Sequence, residues 1–254
     1  MNTVLNAKEG FFTQSLHGVQ YDDVAEFKDG ISWSDPSLNF FFKHATIDAH
    51  FQNSNYNKEI FSRFLAIAII ILFLPIILAV VIGIKVTMPG KVFFTQTRVG
   101  KDGELFEIIK FRSMIENAES ATGHTLSWSG DTRITKFGQF LRKSHLDELP
   151  QLLNVLKGDM YFIGPRPERP EFTKIYDVEI ADYTKRHVVK PGISGLAQVA
   201  CLYDATPQQK LKFDIMYIAF RDSLILNVII GYHTSLKMFS MSPTTKILKK
   251  LEIV

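Results

Sequence analysis

Two adjacent carboxylates, Asp147 and Glu148, stand between arginines at Arg142 and Arg166. A carboxylate pair among cations suits chemistry on an anionic substrate, and phosphate is the leading candidate. The same residues also have a structural reading. Leu149, Leu152, Leu153 and Leu156 fall at i, i+3, i+4 and i+7, one face of a helix, and Gly158 supplies a stop. Asp147 is then the N-cap, Glu148 lies in the first turn, and Pro150 stands third, where its missing N–H costs no internal bond. The two readings are compatible, because a helix N-terminus collects anions.

The elements that must position this pair are uneven in character. The chain has 254 residues, a formal charge of +3 and one cysteine, Cys201. That length holds one domain or two small ones. The mild charge does not suggest a nucleic-acid footprint, and a single cysteine rules out an internal disulfide or a CxxC metal site. Phosphate loops of the GxxxxGKS/T type, GxGxxG fingerprints and HExxH zinc motifs are missing from the sequence. Gly192-Ile193-Ser194-Gly195 is one residue short of a hydrolase elbow.

Phe64 to Ile84 is an uncharged apolar run. As a straight helix it would reach about 31 Å, one hydrocarbon core. Pro75 near its middle predicts a break or kink. Lys58 and Arg63 precede it; Lys85, Lys91, Arg98 and Lys101 follow. Positive flanks on both sides suit a segment that enters and returns, whereas length alone suits a single span. The residues leave both topologies open.

Phe93 to Phe111 reads as two strands around a turn at Gly100-Lys101-Asp102-Gly103. Residues 115–130, with Trp128, read as a loop. Thr206-Pro207 is a helix start, followed by a stripe at Leu211, Ile215, Ile218 and Ala219. Leu224 to Ile230 is too short to span and predicts a core helix or a surface resting on the membrane. Residues 1–55 lack periodicity, with Phe40-Phe41-Phe42 their dense apolar patch. Lys246, Lys249 and Lys250 give the C-terminus a basic tail.

Several motifs together carry a family resemblance. Leu146-Asp147-Glu148-Leu149-Pro150-Gln151-Leu152 is followed by Gly158-Asp159-Met160 and Gly164-Pro165-Arg166-Pro167. Before it come the run from Pro89 to Gly100, Lys110-Phe111-Arg112-Ser113-Met114, and Asp131-Thr132-Arg133-Ile134-Thr135; after it comes the run from Lys190 to Val199. These motifs, in this order over roughly residues 56–240, resemble the bacterial sugar transferases, the monotopic phosphoglycosyl transferases that act on polyprenyl phosphate.

The resemblance implies an α/β fold, mostly α with a small β-hairpin. A re-entrant membrane helix hairpin would precede a compact cytoplasmic catalytic domain with interfacial amphipathic helices. The chain would divide into an N-terminal extension (1–55), a membrane-inserted helix (56–90), a catalytic domain (91–243) and a basic tail (244–254). It departs from the pattern at Leu74, where relatives often carry a small polar residue, and at Lys58-Glu59-Ile60-Phe61-Ser62, a poor copy of their segment start.

The implied reaction moves a phosphosugar from a UDP-sugar to undecaprenyl phosphate at the bacterial inner membrane, releasing UMP and initiating exopolysaccharide, capsule or O-antigen synthesis. Asp147 would be the nucleophile of a covalent aspartyl-phosphosugar intermediate. Asp147 and Glu148 would hold Mg²⁺. Arg142, Arg166, Lys110 and Arg112 would bind phosphate. Arg98 is a candidate structural arginine, Asp159 matches the pattern without a role, His145 is a bystander, and Asn227 stands where many relatives carry aspartate. The implied partners are the UDP-sugar, undecaprenyl phosphate and inner-membrane lipids, with a homodimer and downstream glycosyltransferases as candidates and no nucleic acid. The alternative is a membrane-anchored scaffold that recruits other glycosyltransferases and has little activity of its own. The intact Asp-Glu pair argues against it.

Overall fold

The computed structural model describes residues 55–116, 118, 130–201 and 205–238. The patch at Phe40, nearly all of the N-terminal extension, most of the loop carrying Trp128, and the basic tail lie outside the described residues. The described chain is mostly helical with two small sheets, in keeping with the α/β expectation.

Helix α1, Asn55–Thr87, is 33 residues long and contains Pro75. It is the one helix among the described residues long and apolar enough to cross a membrane. Ile71, Leu72, Leu74, Ile76 and Leu78 are all exposed, so much of the middle of the helix presents apolar side chains outward, while Ile70 and Ile77 pack against the domain. Such a surface belongs in hydrocarbon. The expected break at Pro75 is not a gap, because helical structure continues through it. Proline removes one backbone bond, a loss that a long helix absorbs as a local bend.

Strands β1 (Phe93–Val99) and β2 (Leu105–Phe111) form the predicted antiparallel hairpin, with Phe93 opposite Phe111 and Val99 opposite Leu105. The turn uses Asp102 and Gly103 at positive φ, closed by the Gly100 amide donating to the Glu104 carbonyl at 2.7 Å. Helix α2, Lys136–Lys143, starts at Thr135, whose hydroxyl accepts from the Gly138 amide at 2.9 Å. After it the chain reverses at His145, held at φ 55°, into a 3-10 turn over Leu146–Glu148. Helix α3, Gln151–Lys157, follows and ends at Gly158 in the left-handed conformation, as its stop signal predicts.

Strand β3 (Tyr161–Ile163) pairs in parallel with β4 (Gly192–Ser194). Between them lie α4, Pro170–Glu179, and a 3-10 stretch, Tyr183–Val188. Helices α5 (Leu196–Ala200), α6 (Pro207–Ala219) and α7 (Leu224–Met238) complete the described fold. The start of α6 is a capping box between Thr206 and Gln209, as the Thr-Pro pair predicts. Leu226 and Ile230 of α7 are buried while Leu224, Ile225, Val228 and Tyr232 are exposed. One face of that helix therefore serves the core and the other is an apolar surface.

Three apolar clusters hold these elements. Tyr183, Leu196, Leu211, Ile215, Ile218, Leu226 and Ile230 bind the helices α5, α6 and α7 together. Ala66, Ile108, Leu152, Val155 and Met160 join the first half of α1 to β2 and α3. Val80, Ile84, Met88, Phe111 and Leu141 join its second half to β2 and α2. Leu149, in the turn after the carboxylate pair, packs against both of the latter clusters. The predicted leucine stripe is only partly the buried face: Leu152 is buried and Leu153 is exposed, with Val155 taking its place.

Gly138 is the tightest approach of α2 to the hairpin, since a Cβ there would overlap the Ser113 carbonyl oxygen. Backbone cannot swing aside as a side chain does, so Gly138→Ala should cost about 1–3 kcal/mol. A thermal melt of the detergent-extracted protein measures it; an unchanged midpoint would mean that α2 can shift freely.

Candidate active site

Helix α3 is anchored to β2 by a side chain that sequence reasoning missed. Asn154 is fully buried and acts as an edge partner for the strand, donating to the Glu107 carbonyl at 2.7 Å and accepting from the Ile109 amide at 3.0 Å. It also donates to Asp159 at 3.1 Å, which gives that aspartate a structural task. The anchor sets the turn of Asp147 and Glu148 against Lys110 of β2. An asparagine at the fourth position of a short helix has no sequence signal that would mark it for this task.

Asp147 is not the N-cap of α3. It lies inside the 3-10 turn, and the residue before the helix is Pro150. The left-handed His145 is what turns the chain inward; a non-glycine residue there carries roughly 1 kcal/mol of strain or more. Asp147 is consequently buried, yet no donor among the described residues bonds its carboxylate. Burial first, and the Glu148 charge second, push its pKa up, against the pull of Lys110, Arg142 and His145.

Glu148 has the opposite environment. Its Oε1 accepts from Lys110 Nζ and from an Arg166 Nη, each at 2.8 Å. Burial alone would raise its pKa, but Arg166 and Lys110 override burial and hold the group well below the usual carboxylate range. The pull is mutual for Arg166, whose affinity for its proton is raised chiefly by Glu148. Lys110 is held down by burial, against the opposing effect of Glu148. Two neighbouring carboxylates thus differ in kind: one neutralised by two cations, the other buried and without a donor among the described residues.

Among the other candidates, Arg142 lies close enough for its charge to act on Asp147, and its Nε donates to Ser113 Oγ at 2.8 Å. Arg112 turns away. It is buried and donates to the carbonyls of Met88 and, at 3.0 Å, Pro89, so its contacts fasten the end of α1 to the end of β2. Arg98 donates to the Pro167 carbonyl at 3.0 Å and to Gln96 at 2.7 Å, contacts that suit a structural arginine. Asn227 donates to the carbonyls of Arg221 and Ser223 at 2.9 and 2.7 Å, within the turn that begins α7.

The family described as bacterial sugar transferase matches residues 53–241. The chain belongs to the bacterial sugar transferase family. It is 47% identical over 172 residues to the UDP-N-acetylgalactosamine-undecaprenyl-phosphate N-acetylgalactosaminephosphotransferase of Aeromonas hydrophila, covering 66% of this chain and 40% of that protein. It is 40% identical over 186 residues to the UDP-glucose:undecaprenyl-phosphate glucose-1-phosphate transferase of Xanthomonas campestris pv. campestris, covering 71% and 38%. The chain therefore spans about two fifths of the length of those relatives. Another relative is the exopolysaccharide production protein PSS of Rhizobium leguminosarum bv. phaseoli, 34% identical over 183 residues, with 68% of this chain and 92% of that one covered. In this sugar transferase the matched segment contains every described site residue.

The contrast between the carboxylates makes opposite stability predictions. A folded-state pKa above the ordinary 3.8 means that ionised Asp147 weakens the fold at neutral pH. Asp147→Asn should therefore melt higher than wild type at pH 7, and the gain should shrink as pH falls toward 3.8. Glu148 stabilises above its ordinary 4.5 because its folded value is depressed. Glu148→Gln should lose roughly 1–3 kcal/mol at pH 7, less than a wholly buried pair because Arg166 is partly exposed. Melting curves across pH check both; a destabilised Asp147→Asn would make that aspartate a structural residue.

Proposed function

We propose that this chain transfers a phosphosugar from a UDP-sugar to undecaprenyl phosphate, with Asp147 as a covalent nucleophile. The observation that carries this reading is the buried Asp147 carboxylate, without a donor among the described residues, beside a Glu148 whose Oε1 is held by Lys110 and Arg166. A nucleophile must be ionised yet poorly solvated to attack. Burial withholds solvent from the Asp147 carboxylate, while the charges of Lys110, Arg142 and His145 favour its ionised form.

The chemistry balances in two displacements. An Asp147 oxygen attacks the sugar-linked phosphorus of the donor. The bridging P–O bond breaks and UMP departs with the bridging oxygen. An oxygen of the lipid phosphate then attacks the same phosphorus, the bond to Asp147 breaks, and the carboxylate is regenerated with a polyprenyl diphosphosugar as product. Two anionic substrates must approach one anionic nucleophile, so the cations decide the barrier. Arg166, in the Gly164–Pro167 loop, and Lys110 face Glu148 from opposite elements; Arg142 adds charge near Asp147. Fork-shaped guanidinium groups are well matched to phosphate oxygens.

Magnesium fits the donor set. Hard carboxylate oxygens from Asp147 and Glu148, completed by substrate phosphates, are the usual pattern for this ion, which needs no all-protein cage. Among the described residues no larger cluster of metal ligands occurs. When bound, the ion would neutralise phosphate charge.

The membrane segment is read as re-entrant, with the catalytic domain on the cytoplasmic side. What supports this is that both ends of α1 grip the same domain. Near its start, Lys58 donates to the Arg221 carbonyl at 2.9 Å and Glu59 pairs with Lys190 at 3.1 Å. Near its end, Ile84 and Met88 pack with Phe111 and Leu141. A straight span would part those ends by a bilayer. The exposed apolar face of α7 is then suited to rest at the interface. A relative named for exopolysaccharide production favours a role in polysaccharide synthesis.

The test mixes detergent-extracted protein, Mg²⁺, undecaprenyl phosphate and a panel of UDP-sugars, and follows UMP and UDP separately. UMP that requires lipid and is lost in Asp147→Asn is expected, the variant falling by at least 1,000-fold, an order set by removal of a covalent nucleophile. Release of UDP instead would refute phosphosugar transfer.

A further inference from the structure

The loop that carries Arg166 is held with unusual completeness. Four consecutive carbonyls each accept a hydrogen bond from a different donor. The Pro165 oxygen takes the Gly192 amide at 3.0 Å. The Arg166 oxygen takes Arg186 Nη2 at 2.8 Å, and the Pro167 oxygen takes Arg98 Nη1 at 3.0 Å. The Glu168 oxygen takes the Val99 amide at 2.9 Å. Two of these four residues are prolines, which fix φ and bring no amide of their own to satisfy. Two of the four donors are side chains, and side chains can be substituted.

Arg186 is itself fixed. It is buried, pairs with Asp214 of α6 at 2.7 and 3.0 Å, and donates to the Tyr183 hydroxyl at 2.9 Å. Asp214 and Tyr183 are buried too. An unpaired guanidinium in that place would be costly, so the aspartate and the phenol fix its plane and with it the direction of the second Nη2 hydrogen. That direction is the Arg166 carbonyl. Arg98 reaches the next carbonyl from the other side, off strand β1, with Gln96 holding its second nitrogen at 2.7 Å.

We propose that Arg98 and Arg186 are positioning residues that act through Arg166, clamping its main chain from both sides so that its guanidinium meets Glu148 and an incoming phosphate in one place. Neither touches the carboxylate pair by hydrogen bond in this arrangement. The inference rests on the phosphosugar-transfer reading for its kinetic consequence and on the geometry alone for its structural one. Placement of this kind matters because a shift of about 1 Å in a charge-stabilising group can cost roughly 100-fold in rate. Of the hydrogen bonds to this loop's carbonyls, those from Arg98 and Arg186 fall on Pro167 and on Arg166 itself.

The experiment compares Arg98→Lys and Arg186→Lys in the full chain, each alone and combined with Arg166→Ala. Lysine keeps the charge but offers one nitrogen, which cannot hold a carbonyl and the other partners together. UMP release should fall roughly 10- to 100-fold in kcat/KM for each single variant. In the Arg166→Ala background the same substitutions should cost less than about 3-fold, because the residue they position is already gone. Equal losses in both backgrounds would overturn the proposal and make the two arginines general structural supports.

Amide exchange over residues 160–169 supplies a readout independent of turnover. Exchange in that segment should quicken in Arg98→Lys while the rest of the hairpin stays protected; unchanged exchange would overturn the clamp. If Arg186→Lys fails to fold, the less deeply placed Arg98→Lys carries both comparisons. Wild-type protein that releases no UMP would defeat the functional reading, and exchange would then decide the clamp by itself.

Discussion

One carboxylate oxygen organises the centre of this molecule. Glu148 Oε1 is shared by a lysine from the hairpin and an arginine from the Gly-Pro-Arg-Pro loop, so three separately folded segments converge on a single atom. The arrangement is stable only if all three segments are held independently, because a carboxylate with both cations in place is strongly favoured and one that has lost a cation is buried at a loss. Asn154 secures α3 to the strand, the four-carbonyl strap secures the loop, and the apolar clusters secure the strand to α1. The neighbouring Asp147 inherits the consequence: the cations are near enough to permit its charge but are bonded to its neighbour.

That division explains why two acidic residues side by side need not share a role. With both carboxylates equally solvated, each would titrate near its ordinary value and neither would be distinguished. Here the turn at His145 and the 3-10 geometry bury Asp147 without a donor among the described residues, while one residue later Glu148 meets two. Strain in that turn is what a functional site can hold when its surroundings over-determine it. The stability that Glu148 adds is of the kind needed to offset an ionised Asp147.

Local signals in the sequence were legible where local physics decides the outcome. The hairpin turn at Gly100–Gly103, the Thr206 cap and the Gly158 stop depend on backbone preferences and short-range bonds, and all are found. The family motifs marked Glu148, Lys110 and Arg166, which the fold brings together. Other features depended on long-range packing. The N-cap expected at Asp147 gave way because the reversal at His145 starts a 3-10 turn before Pro150 can open the helix. Arg112 faces the end of α1 because Met88 and Pro89 leave bare carbonyls there. Arg186 and Asp214 lie far apart in the chain and their pairing has no local signature.

Arg112 shows how the anchor and the site are joined. Lys110 and Arg112 alternate along the same stretch of chain, one gripping Glu148 and the other gripping the backbone just after α1. Phe111 between them packs with Ile84 and Leu141. Leu149, immediately after Glu148, touches both apolar clusters that embed α1. The carboxylate pair therefore cannot move far relative to either half of the apolar helix without unpacking it. On the proposed reading the acceptor is a lipid phosphate, which needs the reacting group at a fixed height from the hydrocarbon boundary, since the phosphate is confined to the headgroup layer while the polyprenyl chain stays buried. The depth of the anchor sets that height only if no flexible linker intervenes. Here the link is Met88, Pro89, a short turn and a paired strand, all tied by one buried guanidinium.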